Sequence, residues 1–143
     1  MKRIYTLLTF SSLLIFSACQ KDGCMDEKAI NYNSGAKKDN HTCKYQSMVH
    51  FWFDETTSKN LQDDQIVVLE FYTNDRFLGS CFTSEYLSNI NQMNAMCVSY
   101  KSSIPVGMQE EVTYRVLSES KDLIFIGKLT LFAGDTISEQ LIY

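Results

Sequence analysis

The chain has 143 residues, 17 acidic against 13 basic, and a formal net charge of −4. It is long enough for one domain with an appendage, and it lacks the basic surplus that nucleic-acid binding requires. Aromatic residues make up 13% and proline occurs once, at Pro105, which excludes a disordered chain. Beyond Phe16 no apolar stretch approaches the roughly 20 residues that a membrane-spanning helix needs.

Met1-Lys2-Arg3 is a short positive segment, and Ile4 to Phe16 is an apolar run of 13 residues broken only by hydroxyl side chains. As a helix the run would span about 20 Å, against a bilayer core of about 30 Å. Residues 1–18 therefore read as a signal peptide with small residues, Ser17 and Ala18, before a cleavage point at Cys19. Without Lys2 and Arg3 the basic count falls from 13 to 11 against 17 acidic residues, a net of −6. The exported chain would meet an oxidising compartment in which disulfides are permitted.

Ser17-Ala18-Cys19 resembles the lipobox of bacterial lipoproteins, with Phe16 standing where leucine is usual. The resemblance implies a diacylglycerol on the Cys19 thiol, removal of the peptide before it and acylation of the new amino group. Two or more acyl chains anchor stably, at roughly 0.8 kcal/mol per buried CH₂. Cysteine parity agrees, since of 5 cysteines the removal of Cys19 leaves four that can pair. Gln20-Lys21-Asp22 resembles the short signal that sends some Bacteroidetes-type lipoproteins to the outer face of the outer membrane. Residues 19–22 are then a lipidated tether.

Residues 23–45 run from Gly23-Cys24-Met25-Asp26 through Ala29-Ile30-Asn31-Tyr32-Asn33 to Asp39-Asn40-His41-Thr42-Cys43. They resemble a cysteine-bounded module of exported Bacteroidetes-type proteins, patterned Gly-Cys-Thr-Asp-Pro, Ala-x-Asn-Tyr-Asn, Ala, Asp-Asp-Gly-Ser-Cys. Met25, Glu27, Asn40, His41 and Thr42 depart from that pattern. So short a stretch needs a staple, and a Cys24–Cys43 bridge closing about 20 residues would contribute roughly 3 kcal/mol. Asp26 is expected to cap one helical turn through Ile30. Ile30 and Tyr32 are the apolar residues available to pack on the next domain. Asp22, Asp26, Asn31, Asn33 and Asp39 supply oxygens for calcium, but no spacing matches an EF-hand loop, and turns and caps account for them. Zinc on Cys24, His41 and Cys43 competes with oxidation of the two thiols.

Residues 46–143 read as strands. Val49, Phe51 and Phe53 alternate with Met48, His50 and Trp52. Ile66 to Thr73 continues with Val67, Leu69 and Phe71 on one face, and Asn74-Asp75 is a hairpin signal leading into Arg76 to Phe82. Ala95 to Tyr100, Val112 to Val116 and Leu123 to Phe132 follow. Ala133-Gly134-Asp135 then turns the chain into Ile137 to Tyr143. Only Ser84 to Met93 offers a helical turn. The expected fold is mostly β, a small antiparallel sandwich of about seven strands, immunoglobulin- or transthyretin-like. Phe51-Trp52, the Thr56-Thr57-Ser58 loop, Phe77-Leu78-Gly79 after the hairpin and the Gly127-x-Leu-Thr strand resemble small sandwich domains that follow cysteine-rich modules in lipoproteins. Cys81 and Cys97 remain. Four cysteines allow three connectivities, and the local pairs 24–43 and 81–97 are expected because each lies within one module.

The residues that could carry chemistry each have a structural alternative. His50 with Cys97 could form a base and a thiol nucleophile, but no third residue orients them and Cys97 has a use as a disulfide. Glu110 and Glu111 are adjacent in a strand and should face opposite sides. Trp52 and Tyr72 could form an aromatic platform for a carbohydrate or peptide, or pack beneath a loop or the first module. Asp135-Thr136-Ile137 resembles the acceptor of Bacteroidetes-type O-glycosylation at Thr136. These readings point to a non-enzymatic lipoprotein of the bacterial outer membrane, facing the exterior. Its sandwich would bind or present a carbohydrate, peptide or envelope-protein ligand, and it would need no metal and no cofactor beyond the lipid on Cys19. The alternative is an accessory subunit docked on another envelope protein, with an enzyme third.

Overall fold

The structure, a computed structural model, describes residues 21–88 and 97–143. Strand β1 is Asp22–Gly23, β2 Lys38–Asp39, β3 Lys44–Trp52, β4 Val68–Thr73, β5 Arg76–Phe82, β6 Val98–Pro105, β7 Gln109–Ser118, β8 Leu123–Phe132 and β9 Thr136–Gln140, with helix α1 at Glu55–Asp63. Side chains alternate across a strand, and the apolar ones on alternate positions had to find cover. Val49 and Phe51 of β3, Leu69 and Phe71 of β4, and Val112 and Val116 of β7 are all buried in one core.

Two sheets enclose that core. One has the order β6-β3-β9 and the other β5-β4-β7-β8. The Phe51 ring bridges them, with its centroid 5.7 Å from Phe71 and 5.0 Å from Tyr114. This is the expected small β-sandwich, and among the described residues seven strands build it. Consecutive strands β3 and β4 lie in different sheets, unlike the immunoglobulin constant-type order, in which the first two strands pair. The sandwich is antiparallel except where β9 runs parallel to β3, from Met48↔Thr136 to Trp52↔Gln140. Ala133-Gly134-Asp135 therefore does not fold β9 back on β8. It carries the chain across to the other sheet, with Gly134 at φ 87°. The buried Ser47 hydroxyl holds the crossing, donating to Phe132 O at 2.8 Å and accepting from Gly134 N at 2.9 Å.

Helix α1 stands where Thr56-Thr57-Ser58 reads as a loop. Asp54 caps it, its carboxylate accepting from Thr57 N at 2.8 Å. Leu61 is its one buried apolar side chain, so the apolar periodicity that marks a helix is missing. Its buried hydroxyls anchor it instead: Thr57 Oγ1 donates to Leu141 O at 3.3 Å and Ser58 Oγ to Thr83 O at 2.6 Å. The expected helical turn at Ser84 to Met93 is not seen in its described part, and its remainder lies outside the described residues, as does part of Ala95 to Tyr100.

Disulfides join Cys24 to Cys43 and Cys81 to Cys97, the local pairs. In the first module β1 and β2 pair in parallel, and Asn31 braces the ends of the loop. Its Nδ2 donates to Thr42 O at 2.8 Å and its Oδ1 accepts from Lys44 N at 2.7 Å. Asp26 forms a turn rather than a helical turn, accepting from Lys28 N at 2.9 Å. Ile30 and Tyr32, expected to pack on the sandwich, are 56% and 41% exposed. Tyr45 of β3 does that work from the other side, packing on Cys24, Ala29 and Cys43 while its hydroxyl donates to Asp26 Oδ2 at 2.5 Å.

Candidate binding groove

A groove of about 580 Å³ lies on the outer face of the four-stranded sheet, running across β4, β7 and β8. The hairpin between β4 and β5 forms one end. Asn74 and Asp75 have φ of 45° and 64°, the left-handed pair that a two-residue hairpin turn requires. Asn74 Oδ1 accepts from Thr113 N at 3.2 Å and from Thr113 Oγ1 at 3.1 Å, which pins the turn onto β7. Asp75 Oδ1 pairs with Arg115 Nη2 at 2.5 Å.

Register sets the rest. Tyr72 lies beside Arg115, Arg115 beside Ile126, and Thr113 beside Lys128. Alternation sends these five side chains outward while Phe71, Val112, Tyr114 and Val116 turn in. The outcome is an apolar strip, the Tyr72 ring and the Ile126 side chain, edged by paired charges. The Tyr72 ring packs at a tilt against Phe77, centroids 5.3 Å apart, and its hydroxyl donates to Glu70 Oε2 at 2.9 Å. Glu70 also receives Lys121 Nζ at 2.5 Å, which holds its carboxyl below the usual carboxylate range. The same carboxylate raises the Tyr72 phenol above its ordinary value, so this hydroxyl stays protonated. Lys128 pairs with Glu111 at 2.6 Å.

Gly127 and Tyr114 make the floor. A Cβ on Gly127 would overlap the Tyr114 ring, so only glycine allows that ring to lie across β8. The Tyr114 hydroxyl donates to Glu139 Oε1 at 2.8 Å on the opposite sheet. Burial, and then Glu139, pushes the Tyr114 phenol up to about 12. Chemically the groove offers a flat aromatic and aliphatic surface with amide, guanidinium, ammonium and hydroxyl groups at its rim, the composition of a binding surface.

Trp52 does not share this surface with Tyr72. Both side chains point outward, but from different sheets, so they stand on opposite faces of the sandwich and cannot form one platform. Trp52 is half-buried beside Gln140 of β9, and its buried Nε1 has no hydrogen-bond partner among the described residues. His50 and Cys97 do not form a nucleophile and base. Cys97 is bonded to Cys81, and His50 Nδ1 meets Ser99 Oγ at 2.7 Å. Burial and nearby Lys101 lower the His50 pKa. Glu110 and Glu111 diverge as alternation requires, Glu110 accepting from Tyr100 at 2.6 Å and from Ser102, Glu111 meeting Lys128. The oxygens that calcium could use are engaged locally: Asn33 Oδ1 accepts from Gly35 N at 3.1 Å and Asp39 Oδ1 from His41 N at 3.0 Å. Cys24 and Cys43, being oxidised together, are not available to zinc. Thr136 is exposed where β9 begins. Ala18 and Cys19 lie outside the described residues.

Thr113 and Arg115 are legible as outward positions because they alternate with Val112, Tyr114 and Val116, yet nothing local marks Ile126 and Lys128 as outward or tells that β7 separates β4 from β8. Comparison with protein-family models, characterised proteins and solved structures finds no match to this chain.

Proposed function

We propose that this is an exported lipoprotein, anchored through Cys19 in the bacterial outer membrane and facing outward, whose sandwich binds a ligand in the Tyr72 groove. The groove is the observation that carries the binding reading, because it is concave, partly apolar and ringed by convergent polar groups. The anchor rests on the lipobox-like Ser17-Ala18-Cys19, and the outward face on Gln20-Lys21-Asp22. The stapled module between Cys24 and Cys43 then spaces the sandwich from the membrane. Tyr72 and Ile126 suit the apolar face of a sugar ring or of a peptide side chain, while Asn74, Thr113 and Arg115 suit its hydroxyl or amide groups. The activity is retention of a ligand, with no chemical step.

Labelled-palmitate incorporation in cells expressing wild type and Cys19→Ala, followed by protease shaving of intact cells, tests the anchor. Label that depends on Cys19, and loss of the sandwich on shaving, are expected. Label on both proteins or on neither overturns the anchor. Label with full resistance to shaving moves the protein to the periplasmic side. Glycan and peptide arrays probed with wild type and Tyr72→Ala test the groove, with signal expected for wild type alone.

A second reading has its own observation. Val106, Met108 and Phe132 are exposed together around a hollow of about 300 Å³ beside Tyr45. An apolar cluster at the junction of module and sandwich suits an accessory subunit that docks on another envelope protein.

A further inference from the structure

A sandwich has four edge strands, and an unprotected edge invites another strand to pair. Three of the four are blunted here. β9 is short, five residues, and turns Glu139 inward to Tyr114. β6 carries Lys101 and ends in Pro105. β5 has an irregular register against β4 and bears Cys81, whose disulfide to Cys97 crosses to the neighbouring sheet. β8 is the longest of the four, and its guards are slight: one lysine, and one register shift against β7 confined to its start, between Val116 and Leu117. It is ten residues long, LIFIGKLTLF, with a single charge at Lys128. It pairs with β7 in unbroken register from Val116↔Phe125 to Gln109↔Phe132, and among the described residues no strand pairs with its other edge. Ile126, near its middle, is 67% exposed.

We propose that β8 pairs antiparallel with β8 of a second copy of this chain, about a two-fold axis at Gly127. Such a contact is isologous and closes on itself, and it joins the two four-stranded sheets edge to edge. The register follows from charge and face. Opposed residues must share a face, so the axis falls on a residue. An axis at Lys128 sets two ammonium groups opposite each other, which is destabilising. An axis at Gly127 instead sets Ile126 against the aliphatic stem of Lys128 and Phe125 against Leu129, within the stretch that pairs regularly with β7. The Lys128 charge is already met by Glu111 of its own chain. Burying Ile126 beneath a lysine stem removes the most exposed apolar side chain of the strand from water. The dimer places two Tyr72 grooves on one continuous outer surface. It depends on neither the lipid anchor nor the groove having a ligand.

Sedimentation velocity of the full chain in density-matched detergent, at about 1 to 100 μM, tests the pairing in the range where a micromolar Kd shows. Wild type should pass from monomer to dimer. Ile126→Lys, which sets lysine against Lys128 at a solvent-exposed position, should raise the dissociation constant at least about tenfold with an unchanged circular-dichroism melt. Ile126→Glu, which sets a carboxylate against Lys128, should hold the dimer near the wild-type constant. A wild type that stays monomeric throughout overturns the proposal. So does a dimer indifferent to Ile126→Lys, or one that the lysine and glutamate variants weaken equally.

Discussion

The hydroxyl of Tyr114 on β7 donates to the carboxylate of Glu139 on β9, 2.8 Å away, and so ties the four-stranded sheet to the three-stranded one. Tyr100 and Glu110 make the reciprocal bridge, from β6 to β7, at 2.6 Å. Each places a phenol inside the sandwich and a carboxylate where that phenol reaches it. Buried polar groups are tolerable there because each has its partner.

Tyr114→Phe removes the donor and leaves Glu139 without it, so a loss of roughly 1–2 kcal/mol is expected in urea unfolding. The pH dependence has a definite sign. Burial raises the folded-state phenol to about 12, above the ordinary value near 10. A raised pKa means that the folded state holds its proton more tightly than the unfolded state. The stabilisation is complete below pH about 10 and is lost as pH rises toward about 12. Melting temperature should therefore fall over that interval, and fall less steeply in Tyr114→Phe. Parallel slopes for the two proteins would show that this phenol does not govern alkaline unfolding.

Gly127→Ala should be more costly than its size suggests. The added Cβ would meet the Tyr114 ring, and that ring cannot retreat without leaving Glu139 and the Phe51 ring 5.0 Å behind it. A loss of about 1–3 kcal/mol, the range for overpacking a core, is expected by chemical denaturation. Gly127→Ala combined with Tyr114→Ala should cost less than the sum of the two, which a double-mutant cycle would read directly.

Cys81→Ser with Cys97→Ser should lower stability by about 2–5 kcal/mol. That bridge ties β5 of one sheet to the start of β6 in the other, so the whole sandwich should shift. Cys24→Ser with Cys43→Ser opens a loop whose buried cluster is only Cys24, Ala29 and Cys43. It should release the module to limited proteolysis around Asn33 while the sandwich melt moves little. Equal effects of the two pairs on that melt would mean that module and sandwich unfold as one unit.

Asp54→Ala removes the cap of α1, with an expected cost of about 1 kcal/mol. Because α1 is anchored through Thr57 to Leu141 and through Ser58 to Thr83, hydrogen exchange should rise at the amides of α1 and at Leu141 together. Faster exchange confined to α1 would show that the helix is held by its cap alone.

Sequence alone determined which side of β3, β7 and most of β4 faces the core, although Val67, expected on the side of Leu69 and Phe71, is exposed and Ile66 packs on the core instead. The alternation at Val49, Phe51 and Phe53, at Leu69 and Phe71, and at Val112, Tyr114 and Val116 needs no knowledge of neighbours, since a strand has a period of two wherever it lies. It also determined the tight turn at Asn74-Asp75, where both residues tolerate positive φ, and the module-local placement of two cysteine pairs. Tertiary structure alone decided lateral order. That β7 lies between β4 and β8, that β9 crosses to run parallel with β3, and that Trp52 and Tyr72 stand on opposite faces all depend on which edges meet. Such pairings join residues far apart in the chain and leave no local period. Helix α1 belongs with them. Its single buried apolar residue carries no helical stripe, and carbonyls at Thr83 and Leu141, far along the chain, hold it in place.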